Sequence, residues 1–181
     1  GDVYKRQNYP TAELFINGKS YGKQSKNNSS LKNRYRLMWM DTKYEPGEVK
    51  VVAYDKNGKA VAEKVVRTAG KPHHIELVSN RNELTADGKD LAYVTVKVVD
   101  KDGNLCPADN RQINFSVKGT GKYRAAANGD PTNLEQFHLP KMHAFNGMLT
   151  AILQAGETAG EIVFTAKANG VKAGNIRIQT K

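Results

Sequence analysis

The residues best suited to hydrolytic chemistry are the eighteen carboxylates of this 181-residue chain. Hydrolysis by a carboxylate pair requires two acids held at a fixed separation on either side of the bond that breaks. Eighteen acids always contain some pair that could meet in space, so number alone identifies nothing. None of them lies in a recognisable motif at the end of a strand, and we therefore assign no catalytic residue.

The histidines and the single cysteine could in principle hold a metal or act as a nucleophile. His73 and His74 are adjacent, so on a strand their side chains would point to opposite faces. His138 and His143 fall in a loop, and neither pair has the spacing of a zinc motif. Cys106 has no neighbour that would activate its thiol, and one cysteine excludes an intrachain disulfide. We predict no metal site and no cofactor.

A short acidic stretch at residues 100–104 resembles half of a calcium-binding loop. An EF-hand places a glycine at position six and a glutamate at position twelve. Here Gly103 comes two positions early and Arg111, not a glutamate, occupies the twelfth position, with Gln112 directly after it, so a hairpin turn is the better interpretation. A weak calcium site among loop carboxylates stays open, the possible ligands being Asp87, Asp90 and Asp130.

The net charge of +10 raises the possibility of a nucleic-acid partner. Basic residues crowd one stretch that contains no acid: Lys19, Lys23, Lys26, Lys32, Arg34 and Arg36. Aromatic residues interleave with them, as on a single-strand binding platform. A hairpin with solvated charges explains the stretch equally, and no nucleic-acid-binding motif accompanies it. We expect no nucleic-acid partner, but these aromatic residues could stack on sugar rings: Trp39, Tyr35 and Tyr21.

The most specific segment lies between residues 127 and 147. It is too long for a hairpin turn and too rich in distinctive residues for a linker. One interpretation is a domain-docking loop, and the other is an Ω-like loop packed by its own side chains. Phe137 and Phe145 are expected to pin the segment against the body of the domain. The candidate docking residues are Asn128, Gly129, Asp130, Glu135, Phe137, Phe145 and Asn146.

The elements that would position these residues all read as strands. Alternation of polar and apolar residues is clearest over Leu91–Val99, and Asn17-Gly18 between two apolar runs predicts a tight hairpin. No amphipathic helical pattern of useful length appears. Strands separated by short turns, without intervening helices, predict an all-β fold of two tandem immunoglobulin-like β-sandwiches.

A Gly- and Pro-containing linker at residues 68–72 separates the two sandwiches. We expect the first, residues 8–70, to be N-terminally truncated, because it shows four or five strands where seven are usual. Residues 71–181 have the length of a complete sandwich. Residues 1–7 look like a translated sequencing adaptor, although an ordinary polar start would look similar. No apolar run is long enough to cross a membrane, and we expect no membrane partner.

Five segments carry a family resemblance. Residues 128–135 and 144–147 resemble the C-terminal module of family 2 glycoside hydrolases, the β-galactosidase-like enzymes of Bacteroidetes, and residues 12–20 resemble the hairpin of the immunoglobulin-like module that precedes it. Residues 84–90 and 99–104 are similar to invasin-like immunoglobulin repeats. The resemblance covers residues 8–181.

The resemblance implies a non-catalytic accessory region of a periplasmic or secreted hydrolase that acts on β-linked glycans. In that family the catalytic glutamates lie on a TIM barrel elsewhere in the chain, so no catalytic residue transfers to this sequence. The implied partner is that barrel, with glycans as a further possibility. The alternative is a carbohydrate-binding or adhesin-type surface module.

Overall fold

The computed structural model describes residues 3–5, 8–31, 33–40 and 42–181. Within these residues all regular secondary structure is β-strand, and no helix has the length and apolarity needed to span a bilayer. The all-β prediction is confirmed. The chain divides into two compact units, residues 1–68 and 69–181.

The first unit contains a four-stranded antiparallel sheet and a two-stranded one. The larger sheet has the order β3-β2-β5-β6, and the smaller pairs β1 with β4. Six buried side chains on β2, β4 and β5 form its core. The strands are β1 (Val3–Lys5), β2 (Thr11–Ile16), β3 (Lys19–Ser25), β4 (Leu37–Trp39), β5 (Glu48–Tyr54) and β6 (Ala60–Arg67).

The predicted hairpin of this unit is confirmed in detail. Asn17 and Gly18 both have positive φ, of 48° and 80°, which is the backbone of a type I′ turn. Alternation then places Ala12, Leu14 and Ile16 of β2 in the core. The proposed adaptor-derived start lies in part outside the described residues, namely at positions 1, 2, 6 and 7, while Val3–Lys5 form β1.

The second unit is a sandwich of two sheets. One has the order β12-β10-β14-β15-β8 and the other β11-β13-β9-β7. Twenty buried residues from both sheets form one core. The strands are β7 (His74–Ser79), β8 (Glu83–Leu84), β9 (Leu91–Val99), β10 (Gln112–Gly119), β11 (Gly121–Ala127), β12 (Lys141–His143), β13 (Met148–Ala155), β14 (Gly160–Lys167) and β15 (Gly174–Thr180).

Two connections in this sandwich contain the candidate docking residues. The loop of residues 128–140 joins β11 to β12, and these two strands belong to different sheets. The turn of residues 144–147 joins β12 to β13. Together they make up the distinctive segment of the sequence.

Candidate functional site

The loop of residues 128–140 begins with turns closed by its own short polar side chains. Asn128 Oδ1 accepts the backbone N–H of Asp130 at 3.0 Å, and Asn128 Nδ2 donates to the carbonyl of His143 at 3.0 Å. Asp130 Oδ1 accepts the backbone N–H and the hydroxyl of Thr132, at 2.9 and 2.7 Å. These bonds from Thr132 lower the pKa of the Asp130 carboxyl. The side chains of Asn128 and Asp130 therefore stabilise the turns at the start of the loop.

Glu135 ties the middle of the loop to strand β12. Its Oε2 accepts the backbone N–H of His143 at 3.1 Å, and its Oε1 lies 3.0 Å from His143 Nδ1. Partial burial opposes ionisation of Glu135, but the hydrogen bonds from His143 outweigh it and lower the pKa of the carboxyl. The pair fixes the loop across eight residues of sequence.

Tyr123 of β11 anchors the end of the loop. Its hydroxyl lies 3.0 Å from the carbonyl oxygen of Phe137 and 2.8 Å from that of Leu139. Its ring stacks on the core residue Phe115, with centroids 5.7 Å apart. Burial raises the pKa of Tyr123 to about 12, so the hydroxyl stays protonated and acts as a hydrogen-bond donor to the loop carbonyls.

Asn146 and Gly147 form a tight turn that ends the segment. Both have positive φ, of 53° and 75°, and the backbones of Phe145 and Met148 pair across the turn. A Cβ on Gly147 would lie 2.3 Å from the carbonyl oxygen of Cys106, so only glycine fits there. The turn is thus packed directly against the chain near Cys106.

Three apolar side chains of this segment face outward instead of packing inward. The exposed fraction is 96% for Leu134, 55% for Phe137 and 37% for Phe145. Neither Phe137 nor Phe145 is among the side chains that pack against the core of this unit, so the expectation that they pin the loop gains no support from the core packing. The hydrogen bonds of Asn128, Asp130, Glu135 and Tyr123 hold the loop. Leu134, Phe137 and Phe145 are called the loop surface below.

The three proposed sugar-stacking residues do not form one platform. Trp39 is only 3% exposed, and its Nε1 donates to the carbonyl of Gly22 at 2.8 Å, so its ring belongs to the core of the first unit. This burial removes Trp39 from the stacking set. Tyr21 is partly buried against the same core, whereas Tyr35 is 66% exposed.

The basic stretch is largely engaged in local contacts. Lys23 Nζ lies 4.0 Å above the ring of Tyr54. Arg34 donates twice to the carbonyl of Asn28, at 3.2 and 2.8 Å. Lys32 lies outside the described residues.

The remaining titratable candidates have structural roles. His73 and His74 do not diverge as predicted: their Nδ1 atoms are 3.0 Å apart, because β7 begins only at His74. Cys106 is buried, and desolvation raises the pKa of its thiol. Asp100 accepts backbone N–H groups of Asp102 and Asn104, which confirms the hairpin turn. In the described part of the chain, no three His, Cys, Asp or Glu side chains come together as a metal site would require.

Sequence reasoning missed two residues of this site. Tyr123 lies in a stretch of weak strand formers that carried no strand prediction, and only its later contacts reveal it as an anchor. Leu134 was overlooked although an isolated leucine in a polar loop is a visible signal. The contacts of Tyr123 with the loop and the exposure of Leu134 follow from the folded position of the loop, which the sequence does not specify.

Comparison with known proteins relates the chain to one part of glycoside hydrolase family 2 enzymes. The family model described as glycoside hydrolase family 2 C-terminal domain 5 matches residues 75–177. A domain of unknown function, DUF4982, matches residues 2–62. The beta-galactosidase BoGH2A of Bacteroides ovatus is 42% identical over 169 residues, which are 93% of this chain and 19% of that protein.

Solved structures agree with this placement. A glycosyl hydrolase family 2 member from Bacteroides cellulosilyticus superimposes with a TM-score of 0.87 at 32% identity, over 99% of this chain and 23% of that one. A beta-glycosidase from Bacteroides vulgatus gives a TM-score of 0.90 at 26% identity, over 98% of this chain and 22% of that one. The chain thus spans about a fifth of the length of the relatives that it matches.

Proposed function

The chain belongs to the family described as glycoside hydrolase family 2 C-terminal domain 5, and from this premise we propose that it is a non-catalytic part of a longer glycosidase. Its proposed role is to support the catalytic region by docking on it through the loop surface. The relatives support a parent enzyme that acts on β-linked glycosides, since their names are beta-galactosidase and beta-glycosidase. About four fifths of their length lies outside the part that this chain matches.

The observation that carries the proposal is the exposure of the loop surface on a backbone that is already held in place. Full burial of a leucine or phenylalanine side chain is worth about 1.5–3 kcal/mol, so covering Leu134 and the exposed parts of Phe137 and Phe145 would add stabilisation. Polar residues would serve an ordinary surface loop better. A partner that covers these side chains recovers the stabilisation.

The way the loop is anchored favours docking over a merely self-packed loop. Glu135 and Tyr123 fix it at two separate points, through His143 and through the carbonyls of Phe137 and Leu139. A preorganised surface loses little conformational entropy when a partner binds. The loop can therefore bind the catalytic region without first having to become ordered.

The test compares the same substitutions in the parent enzyme and in the 181-residue chain. Leu134→Asp and Phe137→Asp should lower the melting temperature of the parent by several degrees, since they place a charge in the interface. In the isolated chain they should have little effect, because both side chains are already exposed. Leu31→Asp is the matched control, because Leu31 is 79% exposed in the first unit.

Equal effects of the substitutions in both proteins would reject docking through this surface, as would no effect in the parent.

The proposal that this chain is non-catalytic is tested by a separate measurement. The 181-residue chain should not hydrolyse a chromogenic β-galactoside. Turnover that one carboxylate substitution in this chain abolishes would overturn that assignment.

A further inference from the structure

A second surface of residues 69–181 has the composition of a ligand site. An open cleft of about 410 Å³ lies where β7 has ended and β9 begins. The cleft is shallow and open, so a ligand would lie across its surface and would not enter an enclosed cavity. Its lining residues are Asn80, Arg81, Lys89, Asp90, Leu91 and Tyr93.

Tyr93 supplies an aromatic face to this cleft. It lies on the central strand β9, whose neighbouring residues Ala92 and Val94 point inward and are fully buried. Tyr93 points outward and is 45% exposed. The apolar C–H face of a pyranose ring stacks on such an aromatic ring, which is amphipathic and has its hydroxyl at the edge.

Asp90 and Arg81 form a fixed wall of the cleft. Asp90 Oδ2 accepts the backbone N–H of Thr85 at 2.8 Å, and its Oδ1 accepts that of Leu91 at 2.9 Å. Arg81 Nη2 pairs with Asp90 and donates to the carbonyl of Leu91 at 3.1 Å. The Asp90 charge is thus compensated within the protein, and the guanidinium is held in one orientation.

Asn80 and Lys89 add polar donors. Asn80 Oδ1 accepts the backbone N–H of Tyr93 at 2.8 Å. The amide nitrogen of Asn80 remains as a potential donor to a ligand. Lys89 is held at its backbone by Asp87, whose Oδ1 accepts the N–H at 2.8 Å, and its side chain is exposed. Among the lining residues, Arg81 is compensated by Asp90, so Lys89 gives the lining a net charge of +1, with the carboxylate of Asp87 next to it at the rim.

We propose that this cleft binds a glycan through a pyranose ring that carries a carboxylate, that is, a uronic acid residue. Tyr93 stacks on the ring, while Asn80 and Lys89 donate to its hydroxyl and carboxylate oxygens. Arg81 and Asp90 hold the wall in place. The site is separate from the loop surface and does not depend on the docking proposal.

The test is a titration of the 181-residue chain followed by amide NMR spectra. Methyl β-D-glucuronide is the probe, and methyl β-D-galactoside is the uncharged comparison. We expect saturable shifts at the amides around Asn80 and Tyr93 with a Kd of order 1 mM for one sugar ring. Because Lys89 is an exposed charge, the galactoside should bind only about twofold to fivefold more weakly.

Variants separate the contributions of the ring and of the charge. Tyr93→Ala should abolish the shifts, whereas Tyr93→Phe keeps the stacking face and should retain them. Lys89→Gln should reduce glucuronide affinity to that of the galactoside, and it changes only an exposed side chain. Lys118→Gln, at an exposed position of β10, is the matched control and should bind like the unmodified chain.

Three results would overturn the proposal. The first is the absence of saturable shifts up to about 50 mM, far above the expected Kd. The second is a set of shifts that maps away from the cleft. The third is equal affinity for the two sugars, which would contradict recognition of a carboxylate.

Discussion

Replacing Tyr123 by phenylalanine tests how the loop of residues 128–140 is held. The substitution keeps the ring that stacks on Phe115 and removes only the hydroxyl that contacts the carbonyls of Phe137 and Leu139. A hydroxyl has one proton to donate, so the loss amounts to one net hydrogen bond of about 1 kcal/mol. For the unit of residues 69–181 this corresponds to a fall of about 3–6 °C in melting temperature.

The effect should also depend on pH in a defined direction. The pKa of Tyr123 is about 12 in the folded protein, above the value near 10 of an unfolded tyrosine. A raised folded-state pKa means that the neutral form is the one stabilised. That contribution is complete below about pH 10 and is lost as the pH rises toward 12. The stability advantage of the unmodified chain over Tyr123→Phe should therefore shrink across this interval.

Calorimetry of the 181-residue chain measures the fall in melting temperature. Hydrogen exchange at Ala126 measures the loosening of the loop. The Ala126 N–H donates to the Phe137 carbonyl at 2.9 Å, so its exchange should accelerate when the loop loosens. Tyr93→Phe is the control, because this exposed hydroxyl does not hold the loop. A melting temperature within about 1 °C of the unmodified chain, with unchanged exchange at Ala126, would refute the anchoring role of Tyr123.

Three further changes test other parts of the fold. Gly147→Ala should lower the free energy of unfolding of residues 69–181 by more than about 2 kcal/mol, measured in denaturant. The reason is that position 147 has a positive φ and that a Cβ there would lie 2.3 Å from the Cys106 carbonyl oxygen. A loss below about 0.5 kcal/mol would contradict this close approach. Hydrogen bonds from Gly70, then Asn104 and Asp102, lower the pKa of Asp100, so its contribution is present above about pH 4 and is lost as the pH falls. The difference in melting temperature between the unmodified chain and Asp100→Asn should accordingly narrow below pH 4, and a constant difference would show that the ionised carboxylate is not the stabilising form. Produced alone, residues 69–181 should melt cooperatively because twenty buried residues form their core. Residues 1–68 should not, because the core cluster in the described part of that unit has six buried residues; sharp melting of the shorter piece would reject this reasoning.

Alternation of polar and apolar residues, together with the residue types at turns, predicted much of the fold from the sequence. The Asn17-Gly18 hairpin followed because both residues must adopt positive φ, and strand β9 followed from nine alternating residues. In the described residues strand β4 comprises Leu37–Trp39, although the sequence of residues 35–40 by itself predicts a longer strand. Local pattern therefore predicted the strands better than their ends.

The parts that escaped prediction depend on contacts distant in sequence. Strand β11 contains three consecutive alanines and a shift of register between Tyr123 and Ala125, so neither propensity nor alternation identified it. Its pairing with β13 supplies the stability that its own residues do not. The outward direction of Phe137 and Phe145 was likewise invisible, because it follows from hydrogen bonds that hold the loop without them.

The residues proposed for function share one property that the core residues lack. A residue such as Ala92 or Val94 is explained by its own strand, because alternation sends it inward. Tyr93 and Leu134 satisfy no such local requirement: one is a large ring on the outward face of a strand, and the other is an apolar side chain 96% exposed in a loop. Single exposed apolar residues are common, so exposure alone is weak evidence. Beside both residues the polar groups are already engaged in hydrogen bonds, Asp90 near Tyr93 and Glu135 next to Leu134. A rigid polar framework around an exposed apolar side chain favours a partner that covers that side chain.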